Sequence, residues 1–413
     1  MISGTTGCGL KYAVRKSGSA VAFCALSVKC GTRDEAGFHS GIAHFLEHTI
    51  FKGTAKKTAA VINGYLDRFG GELNAYTTKE EIVIHATVLK EDLPKAASLI
   101  LELATSATFP TKEIETEKGV VIDEINSYKD SPADDVYDKF EEALFEGHEL
   151  GMPILGTAKS VKKITSDELK SFISKNFTPD RMAFTIVADI DEKRMEKDVM
   201  KLVAKYFADS AENSADSTGT EADSPAPVPQ NRFDRTVDKK NHEVNAVIGG
   251  PAPSLYSKDR IATVLLASIL GGPASNSILN SILREKNGWV YGVECGYTQY
   301  RDSGILTISL GCDKENLDKC FKAIDKAVAG LKDKPLSDTR LKAAKKQLLG
   351  QLAISSDSGE AQCLSMGKSL LAYGRIASTE ENRKAIDAVS AEDIQRCACT
   401  IFDKDRLSRL IFL

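Results

Sequence analysis

Apolar and polar positions alternate through VAFCALSVKC, Val21 to Cys30, and again through EEIVIHATVL, Glu80 to Leu89. A period of two is that of half-buried strands. Tyr12 to Cys30 therefore predicts one or two strands, and Leu73 to Leu89 a strand pair. Gly41 to Phe51, Ala59 to Phe69, Leu93 to Ala107 and Thr111 to Tyr128 read as helices; Ser131-Pro132 breaks the last, and Ala133 to Phe145 extends it. Met182 to Ala188 closes this part with a strand, and the theme returns from Asn245 onward. Strands and helices without regular βαβ alternation predict an α+β fold.

The two parts resemble each other. KEDLPKAASLI from Lys90 aligns with KENLDKCFKAI from Lys314, a shift of 314 − 90 = 224, and the same shift lays Tyr76 on Tyr300. In both places an alternating run leads into an amphipathic helix, which points to a duplicated unit. Between the parts lies DSAENSADSTGTEADSPAPVPQ, Asp209 to Gln230, with little to bury and with Glu212, Asp216, Glu221 and Asp223 making it acidic. It reads as an exposed linker. The expected organisation is residues 1–208, a linker at 209–230 and a second domain at 231–413.

A length of 413 residues suits two domains of about 200 residues each. Net charge is −4, giving no electrostatic reason to expect nucleic acid or an anionic membrane as partner. The start MISGTTGCGLKYAVRKSG lacks the pattern of a secretory signal, and no stretch approaches the roughly 18 apolar residues of a membrane-spanning helix. A cytoplasmic protein is expected. Nine cysteines (Cys8, Cys24, Cys30, Cys295, Cys312, Cys320, Cys363, Cys397 and Cys399) are an odd number without a C-x-x-C pair, so they suggest neither a disulfide framework nor a cysteine zinc site.

Chemistry concentrates at His44, Phe45, Leu46, Glu47 and His48, an H-x-x-E-H pattern. On a helix His44 and His48 are i and i+4, stacked where two imidazoles can grip one ion, with Glu47 beside them. Two imidazoles and a carboxylate next to bound water are what a hydrolytic zinc needs. Such a site takes a third protein ligand. ETEKGVVIDEINSYKD offers Glu117 and Glu124, seven apart and so on one helix face; one can ligate while the other orients a ligating histidine. Residue spacing alone does not choose between them. His39, His85, His148 and His242 have no ligand spacing.

The motif HFLEH, a Glu 124 − 48 = 76 residues beyond its last His, and another Glu seven before that resemble the pitrilysin/insulysin family of zinc metallopeptidases, which includes the mitochondrial processing peptidase. GGELNAYTTKEEIVIHATVLKEDL, GHELGMPILGT and LGGPASNSILNSILREKNGWVYGV resemble further family segments, so the likeness runs through nearly the whole chain. It implies one Zn2+ per chain held by His44, His48 and Glu124, with Glu47 as general base and Glu117 behind a ligating histidine. Arg284 and Tyr291 match a pair that steadies the substrate and its developing oxyanion. Asn74 and Ala75 match an edge strand on which extended substrates lie. Trp289 stands where a smaller aliphatic is usual.

The 224-residue shift lays His44 on Ser268, His48 on Gly272, Glu117 on Leu341 and Glu124 on Leu348, so the second unit is expected to hold no metal. In the resembled family four such units form a hollow clam. The resemblance therefore implies a half-clamshell of two homologous domains, each a mostly antiparallel sheet packed with helices. It also implies a homodimer, or a heterodimer with a related chain, hydrolysing peptides or unfolded segments within a chamber. A competing expectation is a non-catalytic partner subunit of the same fold. A third is a metal-dependent hydrolase of non-peptide substrates.

Overall fold

A computed structural model of the chain describes residues 1–207, 228 and 230–413; the predicted linker lies almost entirely outside them. Strands β1 (Ile2–Thr5), β2 (Lys11–Lys16) and β3 (Val21–Val28) lead into the short helix α1 (Ile42–Thr49) and helix α2 (Ala59–Asp67). The hairpin β4 (Glu72–Thr77) and β5 (Ile82–Leu89) follows, then helices α3 (Leu93–Ser106), α4 (Thr111–Lys129) and α5 (Pro132–Leu144). Helices α6 (Ala158–Val161) and α7 (Ser166–Asn176), strand β6 (Met182–Ala188) and helix α8 (Glu192–Tyr206) complete the first half. The second half runs β7 (Asp234–Val237), β8 (Val244–Pro251), α9 (Arg260–Gly271), β9 (Val290–Gln299), β10 (Gly304–Cys312) and α10 (Leu317–Asp333). It ends with α11 (Asp338–Ser355), α12 (Gly359–Tyr373), α13 (Thr379–Asp387), α14 (Ala391–Ile401) and β11 (Ser408–Phe412).

The strands form two sheets, one ordered β1-β2-β6-β3-β5-β4 and the other β7-β11-β8-β10-β9. Each has a single parallel pair, β2 with β6 and β11 with β7; the remaining pairs are antiparallel. The expected α+β class with mostly antiparallel sheets is what the chain adopts.

The repeat is visible in the elements. A single 3-10 turn precedes both α3 and α10, at Lys90–Asp92 and Lys314–Asn316, so the 224-residue shift holds there to the residue. It then slips by three: α11 starts 338 − 111 = 227 residues after α4, and α12 starts 359 − 132 = 227 after α5. Counted from those starts, Glu117 corresponds to Ala344 and Glu124 to Gln351, which are again no metal ligands.

Sequence halves and compact units are not the same thing. One unit holds Met1–Ile125, residues 152–207 and Ala353–Ala377; the other holds Asn126–Gly151, residues 230–352 and Ser378–Leu413. In the first unit α1, α3 and α8 pack on one face of the sheet, burying Cys24, Leu26, Ile84, Phe184 and Leu101. Its other face presents Ala25, Val83, Ala183 and Val187, and α12 covers these with Cys363, Met366 and Leu370. In the second unit α9 and α14 cover one face, while α5 covers the other, placing Val136 and Phe140 against Val247, Ile305, Leu410 and Phe412. Each sheet thus obtains one covering helix from the opposite half of the sequence.

Candidate metal centre

Helix α1 buries Ile42, Ala43, Phe45, Leu46 and Thr49, which fixes the direction of its remaining residues. Its start is tightly specified. Gly41 has φ of 89°, and a Cβ there would meet the Leu155 carbonyl oxygen at 2.7 Å, so only glycine fits. The buried Glu35 accepts hydrogen bonds from the backbone N–H groups of Gly41 (2.9 Å) and Ala43 (3.0 Å), satisfying donors that the first turn leaves free. Burial pushes the Glu35 carboxyl up to about 8 against the pull of those two amides.

His44 and His48, one turn apart, stand with ring centroids 4.7 Å apart. Glu124 reaches them from α4: its Oε2 lies 3.3 Å from His48 Nε2 and 3.7 Å from His44 Nε2. Ligand atoms of the three residues all fall within 4.8 Å of one another, the sole such His/Cys/Asp/Glu group among the described residues. At a bond length of about 2.05 Å, donors at the corners of a tetrahedron around zinc are about 3.3 Å apart. The donor set and its spacing fit a zinc ion.

Electrostatics acts unequally on the two imidazoles. Burial, then the charge of His48, lowers the His44 pKa to about 3, leaving a neutral imidazole. For His48 burial acts downward, but the hydrogen bond it donates to Glu117 and the charges of Glu124, Glu117 and Glu47 outweigh it and raise the pKa. Glu117, one of the two candidates that spacing left open, does not join the cluster. It accepts from His48 Nδ1 at 3.0 Å, which fixes the proton on Nδ1 and leaves Nε2 as the lone pair facing Glu124. Glu47 lies on the same helix next to His48, and burial raises its pKa, with Glu124 adding to the shift and His48 opposing it.

The other predicted residues take definite places. β4 is an edge strand running beside α1; Asn74 pairs with His85 and Ala75 with Ile84 on β5, and the far side of β4 has no strand among the described residues. Arg284 and Tyr291 belong to the second unit, Arg284 exposed on the wide turn of Asn280–Lys286 and Tyr291 on the edge strand β9. Tyr291 is 61% exposed and donates to Asp313 Oδ1 at 2.8 Å, which raises its pKa. Trp289 packs half-buried on the core of that unit.

A cavity of about 400 Å³ opens beside Glu47, His48 and Glu117, lined also by Phe51, Lys52, Asn63, Asp67 and Leu73. Reading the sequence did not single out these last five. For Lys52, its position four residues after His48 was the available signal.

A model described as "Insulinase (Peptidase family M16)" matches residues 11–158, and one described as "Peptidase M16 inactive domain" matches 163–348. The chain is 32% identical over 382 residues to the uncharacterized zinc protease YmxG of Bacillus subtilis (strain 168), covering 92% of this chain and 90% of that protein. The chain belongs to peptidase family M16. An uncharacterized zinc protease of Mycobacterium leprae is 30% identical to this M16 chain over 384 residues, covering 91% of it and 83% of the relative. The M16 fold extends over its full length. A protease from Helicobacter pylori superposes with a TM-score of 0.87 at 22% identity, covering 100% of this chain and 98% of the other. A Pseudomonas fluorescens structure described as a peptidase M16 inactive domain gives 0.88 at 19%, covering 100% and 97%. No helix among the described residues is long and apolar enough to cross a membrane.

Proposed function

We propose that this M16 chain is a zinc-dependent endopeptidase that hydrolyses peptides and unfolded segments. The observation that carries this reading is the convergence of His44, His48 and Glu124 with Glu47 alongside. Those three residues would hold one Zn2+ per chain, which when bound would supply Lewis acidity toward the scissile carbonyl and a water of pKa about 7. Glu47 takes the proton of the attacking water and returns it to the leaving amine, a task served by a carboxyl whose pKa burial raises. Glu117 holds the His48 ring. The free edge of β4, with Asn74 and Ala75, offers backbone hydrogen bonds to an extended substrate and thereby tolerates many sequences.

Arg284 and Tyr291 steady the substrate and the oxyanion, the Tyr291 hydroxyl as donor. In the family resembled, this pair comes from the opposite half-shell. A second chain, a copy or a relative, is therefore the proposed source, and the active species is a dimer enclosing a chamber.

The test is cleavage of a quenched peptide library together with zinc content, for wild type and Glu47→Gln. Wild type should hold about one zinc per chain and cleave, and the variant should hold zinc and not cleave. Zinc without cleavage of any peptide would overturn the reading in favour of a non-catalytic subunit or a hydrolase of other substrates. An active 44.7 kDa monomer in solution would remove the dimer.

A further inference from the structure

We infer that Lys52 is a positioning residue for the metal centre, acting on His48 through Glu117; this rests on the zinc reading above. Both oxygens of Glu117 are committed. Oε1 faces His48 Nδ1 at 3.0 Å, and Oε2 faces Lys52 Nζ at 2.7 Å. Glu117 itself is only 6% exposed, so it has little water to take the place of either partner. Lys52 closes the 3-10 turn Ile50–Lys52 that continues α1, and its ammonium is therefore carried by the same backbone that carries the two histidines. Helix and turn are consecutive on one stretch of backbone, and Glu117 on α4 is bonded to two points of it.

The two imidazoles are not held alike. His44 Nδ1 is buried without a hydrogen-bond partner among the described residues, so that side of the ring is held by packing. Metal-ligating histidines ordinarily donate their second nitrogen to an outer partner. Among the described residues that tether exists for His48 and not for His44, which concentrates the orienting function on the Lys52–Glu117 pair. A carboxylate bonded at one oxygen can swing about its Cγ–Cδ bond. Bonded at both, it presents Oε1 to His48 in one orientation and keeps Nε2 aimed at Glu124.

Lys52 also lines the 400 Å³ cavity, so a change in peptide cleavage would confound positioning with altered substrate contacts. The discriminating measurement is Zn2+ affinity, by competition with a chromophoric chelator at fixed pH. Lys52→Met should weaken Zn2+ binding about tenfold or more, the scale of outer-partner losses, while Lys52→Arg stays within about threefold. If Lys52 acts through Glu117, adding Lys52→Met to Glu117→Gln should cost less than about twofold further. Thermal unfolding of the metal-free proteins identifies any variant that has lost its fold, and Lys52→Ala then replaces Lys52→Met. Wild-type affinity in Lys52→Met would overturn the inference, as would an undiminished loss in the Glu117→Gln background. A wild type that binds no Zn2+ would instead overturn the metal centre on which it rests.

Discussion

His85 Nδ1 on β5 lies 3.1 Å from Glu360 Oε1 on α12, across a sequence separation of 360 − 85 = 275 residues. The contact marks where α12 lies down on the sheet of the unit that holds His44, His48 and Glu124. Met366 and Leu370 on that helix are 3% and 2% exposed, against Val83 and Val187 at 0%. Burying each such side chain stabilises by about 1.5–3 kcal/mol. Together they rival the roughly 5–15 kcal/mol that keeps a whole domain folded. We therefore expect residues 1–208 alone to lack cooperative unfolding in urea. Leu370→Ala in the full chain should cost about 2–5 kcal/mol. A cooperative urea transition in the isolated 1–208 fragment would refute this.

The strands and helices of the first half were legible because each writes its own period. VAFCALSV becomes β3 and IVIHATVL becomes β5. The partner that covers a sheet writes nothing comparable. The apolar residues of α12 are consistent with burial against any sheet, and only the backbone path decides that Met366 meets Val83 and not a strand of its own half. The site divides the same way. His44, Glu47 and His48 sit within one helical turn and a half, where periodicity alone predicts their grouping. Glu124 and Glu117 share a face of α4, so spacing could not say which ligates; the structure separates them because Glu117 is turned to Lys52 and His48. Lys52 left only its spacing in the sequence: a lysine four residues after a histidine acquires meaning only when a buried carboxylate appears between them.

Glu47→Gln removes the proposed base and leaves all three metal-binding side chains in place. Zinc content and affinity should remain those of wild type, while kcat for peptide cleavage falls by about 10²-fold or more. Atomic absorption and a quenched-peptide assay on one preparation suffice. Cleavage at the wild-type rate by the zinc-loaded variant would remove Glu47 from the mechanism.

Glu124→Gln should abolish uptake while the fold persists, since Glu124 is half-exposed and its carboxylate serves the cluster and not the core. Zinc at 100 times its Kd adds about 2.7 kcal/mol to the stability of a protein that binds it only when folded. Wild type should thus show a zinc-dependent rise in Tm that chelator reverses, and Glu124→Gln none. An equal rise in both proteins would place the ion elsewhere.

At the start of α14, Ser390 donates its N–H and hydroxyl to Asp393 Oδ2 at 2.9 and 2.8 Å, and Arg396 adds an ion pair at 2.8 Å. The Ser390 bonds foremost, then Arg396, hold the Asp393 pKa at about 2. A depressed carboxylate contributes stability that is complete above its unfolded value near 3.8 and lost as pH falls through about 2. Asp393→Ala should therefore cost about 1 kcal/mol at pH 6, the scale of a helix cap, and distinctly less at pH 3. Urea midpoints at the two pH values measure this. A penalty that does not shrink on acidification would show that packing, and not the charge, is what Asp393 contributes.

If Tyr291 serves the zinc of a second copy, two damaged chains can repair each other. A Glu47→Gln chain retains Tyr291, and a Tyr291→Phe chain retains Glu47. In a symmetric dimer of one of each, one of the two sites has both groups intact and the other has neither. Random mixing makes half the dimers mixed, so mixing two variants that are each nearly inactive should restore about a quarter of wild-type activity. The Tyr291–Asp313 hydrogen bond gives the control. Asp313→Ala removes the acceptor and leaves the hydroxyl, and should leave complementation intact. Should the mixture be no more active than its components after exchange of subunits is verified by mass, Tyr291 works on its own chain's zinc or on none.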